Sequence, residues 1–138
     1  MAKRKGKPPV SNSATVATTT TAPRTGSSNA EHPKFCLAFI QSAFDVKALP
    51  EDQQADFAKT LQDRASLSWE MIMKAERHGQ GYEHLPSSKL PSPPAAFSDR
   101  DQFMVFRYSG KRPMVGVRVD DVFHIIWIER EFGELYSH

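Results

Sequence analysis

The sequence lacks a second cysteine, a long apolar run and a strong net charge. Its one cysteine, Cys36, cannot form a disulfide within the chain, and the apolar residues around it predict a buried side chain in a reducing compartment. No apolar stretch approaches the roughly 18 to 20 residues of a membrane span, and the basic start lacks the apolar segment of a signal peptide. We therefore expect a cytoplasmic protein without a membrane segment.

The formal net charge of +2 is unevenly distributed. Residues 1–32 contain a single acid, Glu31, and the basic residues Lys3, Arg4, Lys5, Lys7 and Arg24. Residues 33–138 are therefore close to neutral, which excludes a basic nucleic-acid footprint over the whole domain and leaves only a local one. The Ala, Thr and Ser content of 1–32 predicts a disordered basic tail, and 33–138 is long enough for a single domain.

The order of apolar and turn-forming residues predicts an α+β domain with one strand, a helical hairpin and a three-stranded antiparallel meander. The run 34–44 is apolar on both sides, which fits a central strand, although a short helix would also fit it. Helical spacing follows Leu49-Pro50 and predicts one helix or two, over 51–64 and 67–77, that meet at an angle. The Pro-rich stretch 78–98 predicts a long loop that Leu85, Leu90 and Phe97 pin to the sheet.

The meander is predicted in 101–138, with strands over 103–108, 114–119 and 122–129 separated by turn sequences. If both hairpin loops hold an even number of residues, odd positions on one strand share a face with even positions on the next. One face is then almost wholly apolar and should pack on the core: Met104, Phe106, Tyr108, Val115, Val117, Val119, Val122, His124, Ile126 and Ile128. The opposite face carries Phe103, Val105, Arg107, Met114, Gly116, Arg118, Phe123, Ile125, Trp127 and Glu129.

That second face is the first candidate for function, because it places arginine among aromatic residues. Arg107 and Arg118 would lie side by side there, and each must either pair with an acid such as Glu129 or bind an anion. A structural ion pair and a phosphate-binding surface are both open. A phosphate-binding surface would be extended by Lys111, Arg112 and Arg130, with Phe103, Phe123 and Trp127 placed to stack on bases.

The residues after the last predicted strand supply groups for acid/base chemistry. Cleavage of RNA needs a base for the 2′-hydroxyl, an acid for the leaving oxygen and cations for the phosphorane. Tyr136 and His138, or Glu129 in place of one of them, could act beside the arginines in this way. The simpler alternatives are that His138 is exposed and that Tyr136 packs by its ring.

Metal and cofactor chemistry is not indicated by the remaining histidines. His78, Glu83 and His84 in HGQGYEH match no standard metal spacing, so we predict no metal site and no cofactor. His124, on the apolar face, is predicted to be a core histidine.

The segments FRYSGKRPMVGVR and VFHIIWIEREFGELYSH, together with the order of elements, resemble the RelE/ParE/HigB superfamily of toxin–antitoxin toxins. The resemblance implies a small sheet with helices on one face, RNA as the substrate, in some members on the ribosome, and a protein antitoxin as the partner. Carried over by position, it makes Arg107 and Arg118 phosphate ligands and Tyr136 and His138 the acid/base group, with Glu129 as the alternative base.

Two functions follow from these observations. The first is a toxin-type endoribonuclease that cleaves RNA by metal-independent acid/base chemistry and is neutralised by an antitoxin. The alternative is a non-catalytic interaction module, such as a phage or mobile-element accessory protein, that binds protein or nucleic acid through the charged aromatic sheet face.

Overall fold

A five-stranded mixed sheet carries the fold of residues 28–75 and 81–138, the parts of the chain that the computed structural model describes. The strands are β1 (Lys34–Cys36), β2 (Glu83–Pro86), β3 (Gln102–Ser109), β4 (Arg112–Val119) and β5 (Val122–Ile128). Their spatial order is β1-β5-β4-β3-β2, with β1 parallel to β5 and the other neighbours antiparallel. The α+β class and the meander are confirmed, and most of the predicted N-terminal tail, 1–27, lies outside the described residues.

Two helices cover one face of the sheet, α1 (Glu51–Ala65) and α2 (Trp69–Lys74). The prediction of two helices, in place of one, is confirmed. Helix α1 ends at Ala65 and α2 begins at Trp69, after the extended Ser68, whose hydroxyl accepts a hydrogen bond from the Met71 N–H at 3.2 Å. This is the N-cap geometry that starts a new helix. Helix α1 is fixed on β3 by Thr60, which donates to the Tyr108 carbonyl at 3.0 Å.

The first strand is shorter and more peripheral than the sequence predicts. Only Lys34–Cys36 is extended, and it lies at the edge of the sheet, so the prediction of a central strand over 34–44 is wrong. The chain then turns but stays on β5, because the Gln41 N–H donates to the Ile126 carbonyl at 2.9 Å. Phe39, Ile40 and Phe44 pack partly buried against the two apolar clusters, and an apolar run of this kind is also what a buried strand would give. Cys36 is only half buried.

A short strand lies inside the predicted loop 78–98, of which residues 78–80 are outside the described part. Glu83–Pro86 pairs with β3 and forms the opposite edge of the sheet. Leu85 and Phe97 are buried and Leu90 packs partly against the same apolar cluster, as predicted. The loop is therefore tied to the sheet at both its ends.

The faces of the sheet are decided by one irregular pair in each hairpin. Ser109 lies opposite Arg112, as the two-residue turn requires, but the register shifts between Arg107 and Ser109, so that Arg107 lies opposite Pro113. Such a bulge reverses the parity of all pairs beyond it. Odd positions on β3 therefore share a face with odd positions on β4, and the prediction that Arg107 and Arg118 share a face is wrong.

A second shift, between Val115 and Gly116, lies in the β4–β5 pair. The side chains toward the helices include Met104, Phe106, Tyr108, Met114, Phe123, Ile125 and Ile128. The other face holds Phe103, Val105, Val115, Val117, Ile126 and Trp127, which pack with Phe39, Phe97, Leu135 and Tyr136. Both faces are thus buried, and the described residues contain no open aromatic sheet face of the kind that the interaction-module hypothesis requires.

Candidate functional site

A cleft of about 340 Å³ lies where β2, the β3–β4 turn and the final segment, residues 129–138, meet. The final segment reaches this place because Leu135 and Tyr136 are buried in the apolar cluster on that face of the sheet. The cleft is lined by Glu83, Leu85, Lys89, Arg107, Lys111, Phe132, Tyr136, Ser137 and His138. Four of the predicted site residues, Arg107, Lys111, Tyr136 and His138, are therefore brought together.

Arg107 is held in the cleft by partners on β2 and in the turn. Its guanidinium forms an ion pair with Glu83 through Nη2, and Nη1 donates to the Lys111 carbonyl at 2.7 Å. Nε has no hydrogen-bond partner in the described part of the chain. The side chain is only 13% exposed, so its charge acts in a partly desolvated setting, and the exposed Lys89 and Lys111 add positive charge at the rim.

Tyr136 is almost buried beside Arg107. Burial raises the pKa of the Tyr136 phenol, and Arg107 opposes this rise through its charge and a side-chain hydrogen bond. Glu83 and Glu129 raise the pKa further. The phenol therefore keeps its proton at neutral pH and is available as a hydrogen-bond donor. The expectation that Tyr136 packs by its ring is met as well, because the ring belongs to the apolar cluster.

The His138 ring lies between two aromatic rings. Its centroid is 3.8 Å from that of Phe132, at an interplanar angle of 25°, and 4.1 Å from that of Tyr136. Its Nε2 lies 3.0 Å from Glu129 Oε1 and 3.2 Å from Oε2. The side chain is 11% exposed, so the alternative that His138 is simply exposed is wrong for its ring.

Glu129 is fully buried and does not line the cleft, although it contacts the lining residue His138. Besides His138, its oxygens accept hydrogen bonds from two main-chain groups of the final segment: Oε1 from the Gly133 N–H at 3.0 Å and Oε2 from the Leu135 N–H at 2.8 Å. A carboxylate without exposed surface, and with both oxygens engaged, has no access to a substrate hydroxyl. Its predicted role as an alternative base is therefore not compatible with its position.

Arg118 lies on the helix face and forms a separate cluster with Trp69, Ser28 and Asn29, which we call the Arg118 cluster. The guanidinium carbon is 4.3 Å from the centre of the Trp69 ring. Nη2 donates to Ser28 Oγ at 2.9 Å and to Asn29 Oδ1 at 2.8 Å, and Nε donates to the Asp120 carbonyl at 2.7 Å. Burial lowers the pKa of Arg118. This arginine holds residues 28–30, which the sequence assigned to a disordered tail, and it lies away from the cleft.

The other predicted substrate ligands also lie outside the cleft lining. Arg112 donates through Nε to the Arg130 carbonyl at 2.9 Å, and Arg130 pairs with Glu134 at 3.0 Å. Trp127 is 1% exposed and packs on Phe103 with a centroid distance of 5.5 Å. A base cannot stack on a side chain that is already enclosed, so the predicted stacking role of Trp127 is wrong.

Five lining residues were not predicted to be site residues: Glu83, Leu85, Lys89, Phe132 and Ser137. Glu83 was considered only as part of HGQGYEH, and its position on an edge strand beside Arg107 follows from a pairing between β2 and β3 that the loop prediction left out. Phe132 is 51% exposed. An isolated aromatic residue in the polar stretch after the last strand was the one signal that could have drawn attention to it.

Neither metal ligands nor a membrane span can be identified in the described ranges. Residues 28–75 and 81–138 contain no group of three or more His, Cys, Asp or Glu side chains placed to hold a metal ion. His78 lies outside the described residues, and the exposed His84 packs its ring against Tyr82. None of the helices in those ranges has the length and apolar character needed to cross a bilayer. Comparison of the chain with protein-family models, curated protein sequences and solved structures finds no match.

Proposed function

We propose that this chain is a toxin-type endoribonuclease, related in fold and chemistry to the RelE/ParE/HigB superfamily, that cleaves RNA in the cleft and is neutralised by an antitoxin. The observation that carries the proposal is the convergence of Arg107, Tyr136 and His138 on one cleft, from a strand and a segment that the sequence separates widely. A fixed cation, a protonated phenol and an imidazole are the groups that metal-independent phosphodiester cleavage requires.

In this proposal Arg107 and Lys111 bind the scissile phosphate. His138 takes the proton from the 2′-hydroxyl, the 2′-oxygen attacks phosphorus, and the bond from phosphorus to the 5′-oxygen breaks. Tyr136 gives its proton to that leaving oxygen. The products are a 2′,3′-cyclic phosphate and a 5′-hydroxyl end, so that atoms and charge balance without a further reactant.

The assignment of acid and base follows from the surroundings of each ring. Because burial raises the pKa of Tyr136, the phenol enters the reaction with its proton and is suited to be the acid. The Arg107 charge beside it stabilises both the phosphorane and the phenolate that remains after proton transfer. Since imidazole is the side chain that most readily exchanges a proton near neutral pH, His138 is left as the base.

We propose that the activity is cytoplasmic and acts on free or ribosome-bound RNA. The experiment is cleavage of a labelled RNA by the purified full chain, with and without ribosomes, for wild type, His138→Ala, Tyr136→Phe and the control His84→Ala. We expect the first two variants to lose roughly 10²- to 10⁴-fold in rate, the usual contribution of a positioned acid or base.

His84→Ala is a matched control because His84 is exposed and lies next to Glu83 in the same strand, although it does not line the cleft. It should cleave like wild type. A wild-type chain that leaves RNA intact under both conditions, and whose expression does not slow growth, would refute the proposed function.

A further inference from the structure

We infer that Glu129 is a positioning residue: its buried carboxylate fixes the His138 ring so that Nε2 carries the hydrogen and Nδ1 is the nitrogen that exchanges a proton with the substrate. The consequence for cleavage rests on the proposed function. The orientation and the tautomer of the ring do not, since they follow from contacts within the protein.

Both oxygens of the Glu129 carboxylate are engaged by main-chain donors. Its side chain is fully buried, and each oxygen accepts one main-chain N–H of the final segment, from Gly133 and from Leu135. One main-chain donor to each oxygen fits an ionised carboxylate, in which both oxygens are acceptors, rather than a protonated one. The remaining neighbour, His138 Nε2 at 3.0 and 3.2 Å, must then be the donor.

The carboxylate also decides the tautomer of the His138 ring. A neutral imidazole has one N–H, and a hydrogen on Nε2 leaves the lone pair on Nδ1. In the reverse tautomer the lone pair of Nε2 would point at the Glu129 oxygens. The buried carboxylate would then lack a side-chain hydrogen-bond donor, which is costly in a protein interior. The carboxylate therefore selects the tautomer whose Nδ1 can accept a proton.

Two aromatic neighbours fix the plane of the His138 ring. Phe132 and Tyr136 lie on the two sides of His138, at centroid distances of 3.8 and 4.1 Å, and restrict its rotation. The same carboxylate binds the main chain on both sides of Glu134, so it also holds the segment that carries His138. Loss of Glu129 should therefore release both the ring and its support, although Glu129 itself does not touch the substrate.

The test is nitrogen NMR of the His138 ring in the full chain without RNA, at a pH where the ring is neutral. Wild type should give one tautomer, with the hydrogen on Nε2. In Glu129→Gln an amide NH₂ replaces one oxygen and cannot accept, so we expect mixed tautomers and an RNA cleavage rate lowered by about 100-fold or more. Glu131→Gln is the matched control, because Glu131 is exposed in the same segment, and both readouts should stay as in wild type.

The results separate the two ideas. A hydrogen on Nδ1 in wild type, or a Glu129→Gln variant that keeps both the tautomer and the cleavage rate, overturns the positioning role. The wild-type spectrum decides this even if Glu129→Gln does not fold. A fixed Nε2–H tautomer in a wild-type chain that cleaves no RNA supports the positioning role and refutes the proposed function alone.

Discussion

Two arginines on neighbouring strands, Arg107 and Arg118, have opposite surroundings. Arg107 lies beside an open cleft, pairs with Glu83, and has one guanidinium nitrogen without a hydrogen-bond partner among the described residues. Arg118 stacks on Trp69, and each of its nitrogens contacts a protein atom, including the Met73 sulfur at 3.6 Å. An arginine enclosed by an aromatic ring and protein acceptors holds a fold together, whereas one that lines an open cleft can bind an anion there.

The same difference extends to the residues around each arginine. The cleft combines cations with a histidine and a tyrosine whose rings are held in place by buried contacts. These side chains are therefore preorganised around an open cleft. The Arg118 cluster buries Ser28 and fixes the start of the described chain against α2. Substitutions in the cleft should therefore change chemistry, and substitutions in the Arg118 cluster should change stability.

The largest effect is expected from Gly116→Ala, because it breaks the sheet that carries both regions. A methyl group there would lie 1.9 Å from the His124 carbonyl oxygen and 3.1 Å from the Ile125 Cα, both in the main chain of β5. Neither atom can move without separating the strands, so we expect a loss of at least about 3 kcal/mol in the free energy of unfolding. Urea unfolding measures it.

Gly110→Ala is the control for this change. Gly110 has a φ of +58° but nothing within 4 Å of the added methyl group, so only backbone strain of about 1 kcal/mol is expected. Equal losses for the two variants would show that close packing at Gly116 is not what makes glycine necessary there.

The next largest effect is expected from Arg107→Ala in the cleft. Removing a preorganised cation that faces developing charge lowers a rate by about 10²- to 10³-fold, and we expect a loss of this size in RNA cleavage. Arg107→Lys should recover only part of it, because an ammonium keeps the charge without the planar fork that contacts Glu83 and Lys111. Cleavage at the wild-type rate by Arg107→Ala would remove the main chemical difference between the two arginines.

Arg118→Ala should have a smaller effect, and of a different kind. It removes a cation–π contact and charged hydrogen bonds, and should lower the free energy of unfolding by about 2 kcal/mol while cleavage by the folded fraction stays near wild type. The exposed Arg100 offers a control, since Arg100→Ala should change stability by less than about 0.5 kcal/mol. A folded Arg118→Ala variant without cleavage would contradict the separation of the two regions.

The smallest effect concerns His124, on the same face as the cleft. Its ring packs against Phe39 and Phe97, and burial, followed by the charge of Arg100, lowers its pKa below the ordinary 6.5. The unfolded chain therefore binds this proton at a higher pH than the folded chain, so stability should fall as pH drops below about 6.5. In thermal melts across this range, His124→Gln should show a weaker fall than wild type. Parallel curves for both proteins would contradict the linkage.

Much of the fold could be predicted from local patterns. The two helices follow from helical spacing on either side of Ser66, and the meander follows from short β-branched runs between turn sequences. The edge strand β2 and the short β1 could not, because each is defined by its pairing with a distant strand. In the site, the sequence predicted that Tyr136 and His138 act beside Arg107. Phe132 and Lys89 could not be predicted, because only the path of the main chain brings them to the cleft.

The sequence by itself determined the α+β class, the two helices, the three-stranded meander and the residue types available for chemistry. Only the tertiary structure decided which face each side chain occupies. The bulge between Arg107 and Ser109 separates Arg107 from Arg118, and it places the Tyr108 hydroxyl 2.9 Å from Gln53 Oε1 and 2.6 Å from the Glu129 carbonyl. Side-chain parity depends on such a one-residue shift, and contacts between segments far apart in the chain stabilise it, so no local pattern could have revealed it.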